Sequence, residues 1–231
     1  MSHSRIEIIP AIMPKTLEEI EEKMAAVDPH VQWVQLDIMD GEFVQNFSWP
    51  YTGDTFSKAH LHALRSILLV HASLAVEVDL MIAHPEEEAE MWILAGARRV
   101  IFHHESLKGK MTFLKEIKER YPMIQYGIAI LPHNDVSVLE QYLPYVDYVQ
   151  CMGIDHIGRQ GETFNEDVCH LIQSIRQHYP KLTIAVDGGV SDKTSQKIKD
   201  AGATHLVSGS FIFQSADVHS AVQKLYGGVI Y

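Results

Sequence analysis

Three aspartates interrupt otherwise apolar runs: Asp37 in WVQLDIM, Asp79 in VEVDLM and Asp187 in LTIAVDG. A buried carboxylate without a partner is costly to keep charged. In an extended strand, successive side chains face opposite sides. Val34, Leu36 and Ile38 therefore share one face, opposite Gln35, Asp37 and Met39. Likewise Val76, Val78 and Leu80 oppose Glu77, Asp79 and Met81, and Leu182, Ile184 and Val186 oppose Thr183, Ala185 and Asp187. One such aspartate is ordinarily a hydrogen-bonded structural residue. Three that converge repel one another unless a cation, a shared proton or a substrate offsets them. Proton transfer and cation binding are the chemistries such a cluster supports.

Two glycine-containing turns supply a second half-site. DGGV (187–190) follows one of these runs, and SGSF (208–211) follows the next. Glycine lets backbone approach a ligand closely, and backbone N–H groups at such turns hold anions. Met39, Met81 and Met152 are expected to stand beside the aspartates as an apolar wall. His103 is expected to be the one histidine that faces inward.

The elements that must position these residues alternate strand and helix throughout. Apolar runs begin near Ile6, Trp33, Ala75, Arg98, Gln125, Asp147, Leu182 and His205. A helical segment is expected after each, including DVSVLEQYLPYV, and SDKTSQKIKDAGA with Ser191 as N-cap and Gly202 as stop. Eight such units in one unbroken series predict a (β/α)₈ barrel, a single domain over residues 1–231. Barrel enzymes place their chemistry at the C-terminal ends of the strands, and often hold phosphate on the loops after strands seven and eight. All three aspartates and both glycine turns occupy those positions.

Thirty acidic residues against nineteen basic ones leave a net charge of -11, which argues against nucleic-acid and anionic-membrane surfaces. A small anion held by backbone groups is still compatible with that charge. The first residues, MSHSRIEIIPAIMP, lack the basic start and apolar core of a signal peptide, and no stretch approaches a membrane span. Cys151 and Cys169 form no disulfide framework, so a reducing cytoplasm is expected. The aromatic segment NFSWPYTGDTF is expected to form a lid or a subunit contact, and the protein is expected to be a homo-oligomer.

The segments LDIMDGEFVQN, VDLMIAHP, FHHES, VDGGV and SGSFIF resemble, in order, signature segments of the ribulose-phosphate 3-epimerases. The resemblance covers nearly the whole chain. It implies a barrel of the ribulose-phosphate-binding type and inversion at C3 of a phosphorylated ketopentose. In that family one aspartate removes the proton and a second returns it to the opposite face, through an enediolate. By position the pair is Asp37 and Asp187. Phosphate binding falls by the same resemblance to Gly188, Gly189, Gly209 and Ser210, with the backbone of Gly158 to Gly161 closing over it.

The departures from that pattern bear on the metal. The family holds a divalent ion with two histidines and the two aspartates. Gln35 and Asp79 stand where its histidines would be, and Ala11 where a serine usually follows the first-strand proline. A cation held by Gln35, Asp37, Asp79 and Asp187 would meet oxygen ligands, favouring Mg²⁺ or Mn²⁺ over Zn²⁺. Alternatively the metal is lost, and one aspartate stays protonated and donates to the enediolate. Two rival functions follow: a barrel that binds phosphosugar without catalysis, and an epimerase or isomerase of another phosphoketose. Decarboxylases of this barrel type need an Asp-x-Lys-x-x-Asp run, and LDIMDGEF lacks its lysine.

Overall fold

The outward faces of the predicted strands are runs of Val, Ile and Leu, which can be covered only by helices packed around them. In the computed structural model, which describes residues 6–53, 56–159 and 161–227, that covering is complete. The strands are β1 (Glu7–Ile12), β2 (Trp33–Met39), β3 (Ala75–Met81), β4 (Arg99–His103), β5 (Gln125–Ile130), β6 (Tyr148–Met152), β7 (Thr183–Asp187) and β8 (His205–Ser208). Each pairs in parallel with the next, and β8 returns to β1, closing the barrel. Closure removes every unpaired sheet edge. The helices are α1 (Leu17–Val27), α2 (Lys58–Val70), α3 (Pro85–Ala95), α4 (Met111–Arg120), α5 (Asp167–His178), α6 (Ser195–Ala201), α7 (Ser210–Phe213) and α8 (Val218–Tyr226). Val34, Leu36, Ile38, Val78 and Leu80 are all fully buried beneath them.

Two helical expectations need correction. The segment DVSVLEQYLPYV forms only a short 3₁₀ turn, Val136–Leu139, followed by irregular turns. Val136 and Val138 are β-branched, and Pro144 has no N–H to continue a ladder. Helix α6 begins at Ser195 rather than just after Ser191. The intervening turn is held by the Ser191 N–H on Thr194 Oγ1 (2.9 Å) and by the Thr194 hydroxyl on the Gly189 carbonyl (2.8 Å). Gly202 does end that helix, at φ +118°.

The aromatic loop is anchored rather than free. Trp49 is buried, edge-on to Trp92 at 6.3 Å and to Phe56 at 6.5 Å, while Phe47 is left half exposed. Asp54 and Thr55 of this segment, Gln160 of the later loop, and the first five residues of the N-terminal segment lie outside the described residues.

Inside the barrel, the N-terminal end is closed by a charged plug. Arg99 reaches Glu7 (2.9 Å), Glu77 (3.2 Å) and Gln125 (2.8 Å), and its guanidinium lies 3.6 Å from the centre of the Trp33 ring. His205 joins this layer through Glu7 at 3.1 Å. His103 is therefore not alone in facing inward, because the first residue of β8 falls on the same side. Among the described residues, the cleft that reaches the aspartates opens at the opposite, C-terminal mouth.

Candidate active site

Register brings the aspartates together. Asp37 of β2 is directly paired with Asp79 of β3, and Asp187 of β7 with Met152 of β6. Across the barrel mouth, one carboxylate oxygen from each of Asp37, Asp79 and Asp187 lies within 4.8 Å of the others. These oxygens converge on one point, as the inward faces of the three strands require.

Amide and imidazole N–H groups hold the cluster. Gln35 Nε2 donates to Asp37 Oδ1 (2.8 Å) and to Asp187 Oδ2 (2.7 Å). Gln150 Nε2 donates to Asp79 Oδ2 (3.1 Å) and, at 3.4 Å, to Asp187 Oδ2. His103 Nε2 lies 3.0 Å from Asp79 Oδ1, and both side chains are fully buried. Gln150 is a member of the site that residue type and spacing do not single out. Its signal is nonetheless present, since it lies two residues before Met152 on the inward face of β6.

Burial and mutual repulsion set the proton affinities. Burial first, then the charges of Asp187 and Asp79, raise the Asp37 carboxyl well above the usual carboxylate range. Burial and then Asp79 push Asp187 up to about 7. Burial alone would lower the His103 imidazole, but the charge and hydrogen bond of Asp79 outweigh it and raise it.

The cluster opens into a cleft of ≈ 620 Å³ lined by Asp37, Met81, Met152, Asp187 and the glycine loops. Gly158, Gly161, Gly188, Gly189, Gly209 and Ser210 all border it, and Ala11 lies on its wall. Gly189 sits at φ +67°, where an added Cβ would lie 2.8 Å from the Phe164 Cα. The roof joins two loops: Asn46 Nδ2 donates to the Gly158 carbonyl (3.0 Å), and Gly158 packs on Val44. Met39 and Met81 pack with Val44 beneath this roof, and Phe43 leans over His103 at 5.4 Å. Met81 and Met152 both line the cleft, with Ile157 packed against each of their clusters. Met152 packs also with Ile101, Ala129, Tyr148 and Ala185, and Met39 is wholly enclosed behind the cleft.

By spacing alone the three carboxylates could hold a metal ion. In the arrangement seen, the neighbouring amides present hydrogen-bond donors to the carboxylates rather than further ligands. Gln35, expected as a ligand through its carbonyl oxygen, turns its N–H₂ group to the carboxylates, and its buried Oε1 has no partner among the described residues. An N–H donor cannot coordinate a cation.

A closed parallel barrel with a carboxylate cluster at its C-terminal mouth, facing glycine loops after β7 and β8, has the layout of (β/α)₈ barrel enzymes, whose chemistry sits at that mouth. The chain matches the Ribulose-phosphate 3 epimerase family over residues 7–213 and belongs to it. Ribulose-phosphate 3-epimerase of Treponema pallidum is 30% identical over 89% of this chain and 90% of its own length. The enzyme of Eremothecium gossypii is 28% identical over 88% of this chain and 84% of its own. The chloroplastic enzyme of Arabidopsis thaliana is 29% identical over 97% and 77%. Among solved structures, a 3-hexulose-6-phosphate synthase superimposes with a TM-score of 0.71 at 18% identity, covering 96% of this chain and 99% of that one. KGPDC from Streptococcus mutans in complex with D-R5P gives 0.73 at 12% identity, covering 96% of each chain. These two likenesses concern the barrel only. Family membership bears out the epimerase expectation, and with it the isomerase class.

Proposed function

We propose that this protein converts D-ribulose 5-phosphate to D-xylulose 5-phosphate, with Asp37 and Asp187 as the proton-transfer pair. The observation that carries the reading is the convergence of these two carboxyls in one cleft, bridged by the Gln35 amide. Epimerisation by two groups needs one ionised and one protonated at the same moment. Burial and the neighbouring carboxylates raise both Asp37 and Asp187, so the pair holds a shared proton: with Asp187 ionised, Asp37 carries it and serves as the acid. Asp187 takes the C3 proton, and the C–H electrons move into the C2 carbonyl to give the enediolate. As the carbonyl re-forms, C3 takes the Asp37 proton on its opposite face. The reverse reaction exchanges the two roles.

The rest of the cleft orients the sugar. Backbone groups at Gly188, Gly189, Gly209 and Ser210 bind the phosphate, with Gly158 and Gly161 above it. Met81 and Met152 keep water from the reacting carbon, Met39 packs behind Met81, and His103 holds Asp79 in place. The convergent carboxyls favour this reading over a barrel that only binds. If the triad is loaded with a cation, its all-oxygen ligands suit Mg²⁺ or Mn²⁺ better than Zn²⁺, and Gln35 must turn its Oε1 inward.

Among the described residues no helix is long and apolar enough to cross a membrane. The two free cysteines support a reducing cytoplasm as the site of action. Exposed Leu69, Val70 and Leu94, at the ends of α2 and α3, support self-association, which light scattering decides. The activity is tested by proton NMR of D-ribulose 5-phosphate in heavy water. Loss of the C3 proton signal with formation of the xylulose isomer is expected, and its absence would remove the proposal.

A further inference from the structure

We infer that two carboxamide bridges take the place of a divalent metal ion in this site, and that turnover proceeds without one. For its activity this rests on the epimerase reading, and for its structural content on side-chain geometry.

Both hydrogens of the Gln35 amide are engaged, one on each member of the proton-transfer pair, at 2.8 and 2.7 Å. The Gln150 amide links Asp79 to the Asp187 oxygen already held by Gln35. His103 occupies the remaining oxygen of Asp79. The bridges thus leave Asp37 Oδ2 and Asp187 Oδ1 as the two carboxylate oxygens of the cluster without a side-chain donor among the described residues. Each reacting carboxyl keeps one oxygen clear of the amides to face the substrate while the other is fixed by an amide. A central cation would normally do two things here: damp the repulsion among the three carboxylates and fix their orientation. The bridges do both, because each N–H dipole points its positive end at an oxygen.

The alternative arrangement requires both glutamines to turn over. Their Oε1 atoms are now buried acceptors without partners among the described residues. Reversal would turn those oxygens toward the carboxylates and remove the N–H groups that Asp37, Asp79 and Asp187 now accept from. The bridged orientation gives each N–H₂ group two carboxylate oxygens as acceptors, so the amides themselves hold the cluster together. Gln35 is on this reading a positioning residue. It does not touch the substrate; it sets the angle between the two groups that do.

The experiment uses the purified full chain. Elemental analysis after dialysis is expected to show substoichiometric Mg, Mn, Fe, Co and Zn. Mn²⁺ titration followed by electron paramagnetic resonance should show no stoichiometric site. C3 exchange should run at the same rate with EDTA as with added Mn²⁺ or Mg²⁺. Gln35→His, which restores a nitrogen lone pair at this position, should create a stoichiometric Mn²⁺ site. Gln35→Met, of similar volume and without donors, should lower kcat by about a hundredfold with little change in KM, as expected for misplaced reacting groups. Circular dichroism confirms that this variant is folded, and Gln35→Asn offers a second reduced-reach variant should it not be. A native protein that retains one equivalent of metal and loses exchange on chelation overturns the inference. If no exchange occurs in any arm, the epimerase reading fails instead, and the Mn²⁺ titration still decides whether the bridges have displaced the ion.

Discussion

Replacing Asp187 with asparagine should abolish turnover and yet stabilise the protein, by an amount that grows with pH. The substitution keeps an oxygen for Gln35 Nε2 but removes one of three converging charges. In the fold the Asp187 carboxyl is pushed up to about 7, by burial and then by Asp79. In the unfolded chain it returns to about 3.9. The folded state therefore binds this proton more tightly, and wild-type stability falls as pH rises from the unfolded value through the folded one. A gap of about three units at 1.36 kcal/mol each gives about 4 kcal/mol. Asp187 keeps some solvent contact, which screens the effect toward about 2 kcal/mol. The Asp187→Asn variant has no such loss, so its advantage should be small near pH 4.5 and reach about 2–4 kcal/mol at pH 8. For a domain of this size that corresponds to roughly 5–15 °C in Tm. Urea unfolding of both proteins at the two pH values measures the difference, and heavy-water exchange at C3 measures turnover. An advantage that does not change with pH, or a variant less stable at pH 8, would refute the account of the cluster as repelling carboxyls.

The pH profile of kcat/KM should be bell-shaped. Its acid limb lies near 7, where the coupled carboxyls lose their first proton, and its alkaline limb marks loss of the proton the pair still shares. A flat profile from pH 5 to 9 would contradict the shared-proton mechanism. Gly189→Ala should raise KM for the phosphosugar and cost about 1–2 kcal/mol of stability, since φ +67° disfavours a side chain and its Cβ would meet Phe164; steady-state kinetics and thermal melts check both. Arg99→Met should destabilise the barrel by about 3–5 kcal/mol in urea titration, because Glu7, Glu77 and Gln125 lose a common buried partner.

The barrel is legible in the sequence because its strands carry a two-residue alternation long enough to assign faces. That alternation places Asp37, Asp79 and Asp187 inward, and the strand ends place the glycine turns at the same mouth. It also contains Gln150, but an inward glutamine among strand residues carries no distinguishing mark until its partners are known. The Arg99 plug is hidden for a similar reason. Glu7, Trp33, Glu77 and Gln125 come from four separate strands, and no local spacing links them. The helix expected after β5 fails to form because local propensity competes there with chain connection, which short segments resolve by packing.

Residue type and alternation alone therefore determined the architecture, the three carboxylates and the position of the anion-holding loops. Only the closed sheet decided which nitrogen meets which oxygen. Gln35 and Asp187 are 152 residues apart and bond at 2.7 Å because strand register and barrel closure, properties of the whole circle, set their distance. Whether the centre of the site accepts a cation or already holds hydrogen-bond donors depends on that distance and on which way an amide faces, and neither is encoded in any single stretch of chain.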